Sequence, residues 1–164
     1  MPSDTQLRAQ LARRIRFDPP GDWKDFAIKW MAFNAIYGGE SDRSERSRVM
    51  SCIRASLSES AALRVLRAVT GPIDLILAIP PGNMLLESSN PGFRSASQRC
   101  VGLYRDRRQS AVDRIAAVGG VVYQVRCNLL HGSKDPDDER DRMLVTQSLC
   151  ILNELVPALE AELV

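Results

Sequence analysis

The segment VVYQVRCNLLHG, residues 121–132, contains the chain's only histidine, His131, five residues after Arg126 and three after Asn128. An imidazole exchanges protons near neutral pH, which no other side chain does by default. Arg126 can bind a phosphate and stabilise negative charge that develops on it, and the Asn128 amide can orient either group. These residue types suit cleavage of an RNA phosphodiester, in which the ribose 2′-hydroxyl is the nucleophile. Acyl transfer is less suitable, since no serine or cysteine is evidently paired with His131.

Helical geometry places Arg126 and His131 on different faces. Residues five apart in a helix are separated by about 140° around the axis and about 7.5 Å along it. Relative to the apolar stripe between residues 115 and 129, Arg126 lies about 60° from the centre and His131 points toward solvent. Two interpretations of His131 stay open. It caps the helix beside Gly132, where its ring interacts with the last carbonyl groups, or it performs chemistry.

Helical periodicity dominates the rest of the chain and predicts an all-α fold. The short run IDLILAI is interpreted as a helix because no partner strand with alternating polarity is present. Asp135 is the predicted N-cap of the last helix. The chain, 1–164, is predicted to form a single domain, a bundle of about five to seven helices. Apart from the IDLILAI run, the predicted helices lie near residues 4–17, 23–37, 43–56, 59–70, 109–130 and 136–163.

Most of the aromatic side chains fall on one predicted helix. Their spacings of three and four residues put them on one face, which predicts a packing spine. A stacking platform for nucleic acid is the alternative. The residues are Trp23, Phe26, Trp30, Phe33 and Tyr37.

Composition limits the function only broadly. Hydrophobic residues make up 45% and charged residues 26% of the chain, which is compatible with an enzyme and with a binding module. No apolar run approaches the roughly 18 residues that span a bilayer, and the N-terminus has no secretory signal, so a cytoplasmic protein without a membrane partner is expected. The sequence contains no glycine-rich phosphate loop and no cluster of metal ligands, and neither a cofactor nor a metal is expected.

Residues 80–97 lack helical periodicity and predict a long loop. Loops of this length are usually functional or disordered, and a solvated connector is a further interpretation. The loop leads into an arginine-rich segment, and the two together are a candidate basic rim that binds RNA phosphates. The candidate RNA-binding residues are Arg94, Arg99, Arg105, Arg107 and Arg108.

The sequence RCNLLHG resembles the Arg-x4-6-His motif of HEPN domains, in which the motif ends one helix and another long helix follows. WMAFNAIYGG is similar to an aromatic segment in the N-terminal half of some bacterial HEPN-like proteins. The resemblance covers these segments and the helices that flank the motif, and leaves residues 40–105 largely outside it. A polar residue usually follows the motif arginine directly. Here Cys127 takes that place and Asn128 comes next.

The resemblance implies a helical bundle that dimerises through its motif helices and acts as a metal-independent endoribonuclease, leaving 2′,3′-cyclic phosphate ends. Arg126 and His131 take the catalytic positions, and Asn128 positions one of them. Within one helix, Arg126 and His131 lie on different faces. A two-fold axis between two chains would nevertheless bring both copies of Arg126 and both copies of His131 into one cleft. HEPN domains also occur as toxins, phage-defence effectors and RNA-processing factors, and some bind without cleaving. The alternative is therefore a non-catalytic module that binds RNA or a protein partner such as an antitoxin.

Overall fold

Eight α-helices and no strand are present in the computed structural model, which describes residues 4–39, 42–132 and 134–164. The all-α prediction is therefore confirmed. Helix α6 covers a segment to which the sequence pattern assigned no helix, and it raises the number of helices above the expected five to seven. The helices are α1 (Asp4–Phe17), α2 (Gly21–Tyr37), α3 (Glu45–Ser56), α4 (Glu59–Ala68), α5 (Thr70–Ala78), α6 (Ser95–Arg105), α7 (Ala111–Leu130) and α8 (Glu139–Leu163).

The helices form two packed groups that share one hydrophobic core. In one group α3 and α6 pack against α7, and in the other α2 and α5 pack against α8. Helix α4 contacts both α7 and α8 and joins the groups. Because α7 has neighbours on several sides, it is buried along most of its length. The segment that carries the candidate catalytic residues is the end of this central helix.

Two adjacent glycines allow α3 and α6 to approach the backbone of α7. A Cβ atom on Gly119 would lie 2.5 Å from Cδ1 of Ile53 on α3. A Cβ atom on Gly120 would lie 2.9 Å from Sγ of Cys100 on α6. Both distances are shorter than a carbon or sulfur contact allows. The pair therefore sets how closely three helices meet.

The aromatic face of α2 is part of the core, which confirms the predicted packing spine. Trp30 stacks on Phe26 at a centroid distance of 6.1 Å and meets Phe33 edge to face at 5.3 Å. Such pairs add to the free energy of burying the rings. All five rings on this face are buried, namely those of Trp23, Phe26, Trp30, Phe33 and Tyr37.

A glycine at the end of α7 and a capping carboxylate at the start of α8 define the connection between the two helices. Gly132, with φ +68°, ends α7 as predicted. Helix α8 begins later than predicted, because the carboxylate of Asp138 accepts from the N–H of Asp141 and makes Asp138 the N-cap. Asp135 is not the N-cap, since its side chain accepts from the N–H of Asp137 in the preceding turn. None of the helices described is long and apolar enough to cross a membrane.

Candidate functional site

His131 follows the last residue of α7 and caps the helix. Its backbone N–H donates to the carbonyl of Cys127 at 3.0 Å, and the N–H of Gly132 donates to that of Leu129 at 3.1 Å. Beyond Gly132, the buried ammonium of Lys134 forms an ion pair with Asp141 on α8. The end of the helix is thus fixed by its own carbonyls and by α8, while the imidazole is exposed.

The imidazole opens onto a groove of about 1010 Å³ between α1, α2 and the end of α7, here called the His131 groove. Its floor is apolar and is formed by side chains such as Ile15, Trp23 and Leu129. Cationic side chains lie at the rim, among them Lys24, and none of the described residues that line the groove is acidic. An apolar floor with a positive rim suits an anionic ligand that also has apolar faces, which describes RNA.

Arg126 is held in place by a carboxylate from another helix. Its Nη1 donates to Oε2 of Glu45, at the start of α3, at 3.1 Å, and 23% of its side chain is exposed. Oε1 of the same Glu45 accepts from the hydroxyl of Tyr37 at 2.8 Å. The guanidinium also lies 6.0 Å from the ring centre of Trp30 and 5.9 Å from that of Tyr123. Its position is therefore set by one ion pair and two aromatic rings.

Burial raises the pKa of the Tyr37 hydroxyl, and the hydrogen bond to Glu45 raises it further. The phenol is therefore protonated at neutral pH and remains a donor to the Glu45 carboxylate. The carboxylate in turn stays fixed against Arg126. This network of three side chains holds the guanidinium in position before a ligand binds. Binding therefore requires little further loss of conformational entropy from the Arg126 side chain.

Arg126 lines a second, smaller pocket of about 330 Å³ together with Trp30 and Met31. This Arg126 pocket and the His131 groove share Ala27, Leu129 and Leu130. The two candidate catalytic side chains thus open onto adjoining parts of one surface, with the two leucines between them. Met31 and Leu130, exposed by 70% and 58%, make that surface apolar.

Asn128 is buried, and its amide forms three hydrogen bonds. Its Nδ2 donates to the carbonyl of Gly82 at 2.8 Å, and its Oδ1 accepts from the N–H of Met84 at 3.3 Å and from Nε2 of Gln124 at 3.1 Å. These bonds go to the 79–94 segment and to the preceding turn of α7, rather than to Arg126 or His131. Asn128 thereby holds Met84 at the edge of the His131 groove.

The arginines that were candidates for RNA binding lie on α6 and on the residues that flank it. All five are exposed, and they are spread from the start of α6 to beyond its end, over roughly 15 Å of helix. Arg108 is paired with Asp106, with Nε and Nη2 at 3.0 and 3.2 Å from its two carboxylate oxygens. Arg99 instead lines a polar cavity with Arg46, a residue that the sequence did not single out.

Glu45 is the site residue that sequence reasoning missed. It is 81 residues from Arg126, and no local spacing connects the two. In the sequence it reads as an acidic residue in the first turn of a helix, where the dipole favours it. Only the packing of α3 on α7 brings it to the guanidinium.

Comparison with known proteins finds no relative of this chain. No family model matches it, and no curated protein or solved structure matches it.

Proposed function

We propose that this chain is a metal-independent endoribonuclease of the HEPN type, acting in the cytoplasm, whose active site forms between two copies of the chain. The observation that supports the proposal best is the shared wall of the His131 groove and the Arg126 pocket. An exposed imidazole and a prearranged guanidinium border one surface there. A proton carrier beside a fixed cation is what cleavage of a phosphodiester by the neighbouring 2′-hydroxyl requires.

In the proposed reaction one imidazole takes the proton of the ribose 2′-hydroxyl, and the 2′-oxygen attacks phosphorus. The bond from phosphorus to the 5′-oxygen breaks, and an imidazolium returns a proton to that oxygen. The products are a 2′,3′-cyclic phosphate and a 5′-hydroxyl. Arg126 binds the non-bridging oxygens and stabilises the additional negative charge of the transition state. Asn128 contributes by holding the loop residue Met84 beside the groove.

A second copy of the chain completes this site. Within one chain Leu129 and Leu130 lie between the two functional side chains, and Leu130 is largely exposed. A symmetric partner that packs on Leu130 and Met31 would remove their apolar surface from water. The same contact would place one chain's His131 near the other chain's Arg126, giving two proton carriers and two cations in one cleft.

The decisive test is cleavage of mixed RNA by purified protein in EDTA. The wild-type chain is expected to cleave RNA, and His131→Ala is expected to be inactive with an unchanged thermal unfolding transition, since the residue is exposed. Arg67→Ala, which removes an exposed side chain of α4 outside the groove, is the matched control and is expected to retain activity. Cleavage by His131→Ala at the wild-type rate would refute the proposal.

Mixing inactive variants tests the composite site. Neither Arg126→Ala nor His131→Ala is expected to cleave RNA alone. A mixture allowed to exchange subunits contains dimers with an intact His131 on one chain and an intact Arg126 on the other, and is expected to regain activity. A mixture that stays inactive despite verified exchange would place both groups of each site on one chain.

A second candidate function is favoured by the ion pair between Arg126 and Glu45, which already satisfies part of the guanidinium's charge. In this alternative the chain is a non-catalytic module that holds RNA or an acidic protein partner, such as the antitoxin of a toxin–antitoxin or defence system. It predicts salt-sensitive binding that His131→Ala leaves unchanged and that is accompanied by no cleavage.

A further inference from the structure

A third cavity, of about 360 Å³, lies where the starts of α3 and α6 meet the side of α7, and neither His131 nor Arg126 lines it. We call it the Arg46 cavity. Two guanidinium groups and several neutral polar groups line it, and within residues 4–39, 42–132 and 134–164 no residue that lines it is acidic. The polar residues that matter here are Arg46, Arg99, Ser44, Ser95 and Gln124.

Contacts with Gln124 and Tyr123 hold Arg46 in place, and one of its nitrogen atoms makes no hydrogen bond among the described residues. Its Nη2 donates to Oε1 of Gln124, a buried amide, and its guanidinium lies 5.4 Å from the ring centre of Tyr123. Its Nη1 is buried and has no hydrogen-bond partner among the described residues. The thiol of Cys100 lies beside Arg46, but burial raises the pKa of this thiol, which is therefore protonated and a poor acceptor. Arg46 therefore supplies a fixed positive charge to the cavity lining, and an anionic ligand would be attracted to it.

Two further features favour a negative charge at the same place. The N-cap of α6, Arg94, forms no side-chain capping bond, and the first-turn residues Ser95, Ala96 and Ser97 line the cavity. The N-terminal end of a helix attracts anions through its dipole and its free N–H groups. Arg99, one turn further along α6, is exposed and adds a second positive charge to the lining.

The walls also offer apolar contact. The rings of Phe93 and Tyr123 line the cavity, and its volume is at the small end of the range for organic ligands. We propose that the Arg46 cavity binds the phosphate group of a ribonucleotide, which is either a free mononucleotide or a unit of an RNA strand. This site uses none of the residues assigned to cleavage. It stands whether or not His131 cleaves RNA.

Calorimetric titration of the full chain tests the proposal with four ligands: inorganic phosphate, AMP, adenosine and a short oligoribonucleotide without terminal phosphates. The oligonucleotide is titrated into the His131→Ala variant so that cleavage cannot consume it. AMP binding without adenosine binding is expected if the ligand is a free nucleotide. Oligonucleotide binding that exceeds AMP binding is expected if the ligand is an RNA strand.

Of the four ligands, those that bind the wild-type chain are expected to bind Arg99→Gln with about tenfold lower affinity. A tenfold change corresponds to the loss of one hydrogen bond to a charged group. Arg99 is exposed, so folding should be unaffected. Arg64→Gln makes the same change in charge at an exposed position of α4, outside the cavity lining, and is expected to alter affinity less than about twofold. Absence of saturable binding by all four ligands, or equal weakening by both variants, would overturn the proposal.

Discussion

Arg126 combines a fixed position with unused hydrogen-bonding capacity. A guanidinium has five N–H donors, and Nη1 alone makes the contact to Glu45. Its Nε is buried and has no partner in the part of the chain that the structure describes. The ion pair therefore fixes the guanidinium and leaves its Nε without a hydrogen bond. The same pair should also contribute to the stability of the fold, because both side chains are largely buried.

We expect Glu45→Gln to lower the free energy of unfolding by about 1–3 kcal/mol, because it leaves a largely buried guanidinium without a counter-ion. Urea denaturation would measure the change. A double-mutant cycle with Arg126→Gln should show coupling of about 1 kcal/mol. The control is Arg54→Gln, which breaks the more exposed pair with Asp113 and should cost less than about 1 kcal/mol. If Glu45→Gln and Arg54→Gln lower the free energy of unfolding equally, burial does not strengthen the ion pair between Glu45 and Arg126.

At the scale of elements, the 79–94 segment is an ordered connection between α5 and α6 rather than a loose one. The N–H of Asn83 donates to the carbonyl of Phe93 at 2.6 Å, which closes the segment on itself. Two side chains from helices anchor its start: Ser97 donates to the carbonyl of Pro81 at 2.7 Å, and Asn128 bonds to Gly82 and Met84. The edge of the His131 groove is thus built by the loop and positioned by α7.

Asn128→Ala is expected to release the loop from α7. The change removes three hydrogen bonds at a buried position, so a loss of about 2–4 kcal/mol in unfolding free energy is expected. Hydrogen exchange should become faster at residues 82–86. Asn153→Ala, at an exposed position on α8, is the matched control and should alter neither property. Unchanged exchange in the loop would contradict the anchoring role.

At the scale of the whole molecule, the glycine pair in α7 couples the packing of three helices. Glycine is a poor helix former, and an exposed one in a helix interior would gain stability if replaced by alanine. Gly119 faces the buried side chain of Ile53, however, and Gly120 faces Cys100. The close approach of α3 and α6 depends on the absence of two methyl groups.

We expect Gly119→Ala to destabilise the protein by about 1–3 kcal/mol, since overpacking outweighs the gain in helix propensity. Adding Ile53→Val removes the Cδ1 atom that the new methyl group meets, so the double variant should be more stable than the sum of the single changes predicts. Gly102→Ala, which meets nothing within 4 Å, should stabilise by up to about 1 kcal/mol. Thermal and urea unfolding would measure all three. Stabilisation by Gly119→Ala would show that α3 yields to the added methyl group.

Features that depend on neighbours a few residues away can be predicted from the amino-acid sequence. The aromatic spacing of α2 identified a buried face, and Gly132 identified the end of α7. The same local spacing predicted that His131 points outward, and the residue is exposed. Periodicity and capping act over one or two helical turns, so both can be recognised in the sequence without knowledge of the fold.

Contacts between side chains that are distant in the chain become visible only once the helices are packed. Glu45 reaches Arg126 because α3 packs on α7, Asn128 turns inward to a loop, and Arg46 and Arg99 share a cavity because α3 and α6 flank the same helix. The choice of Asp138 over Asp135 as N-cap depends likewise on where the preceding turn is held. Contacts between residues far apart in the chain depend on how helices pack, and no spacing within a single helix encodes that arrangement.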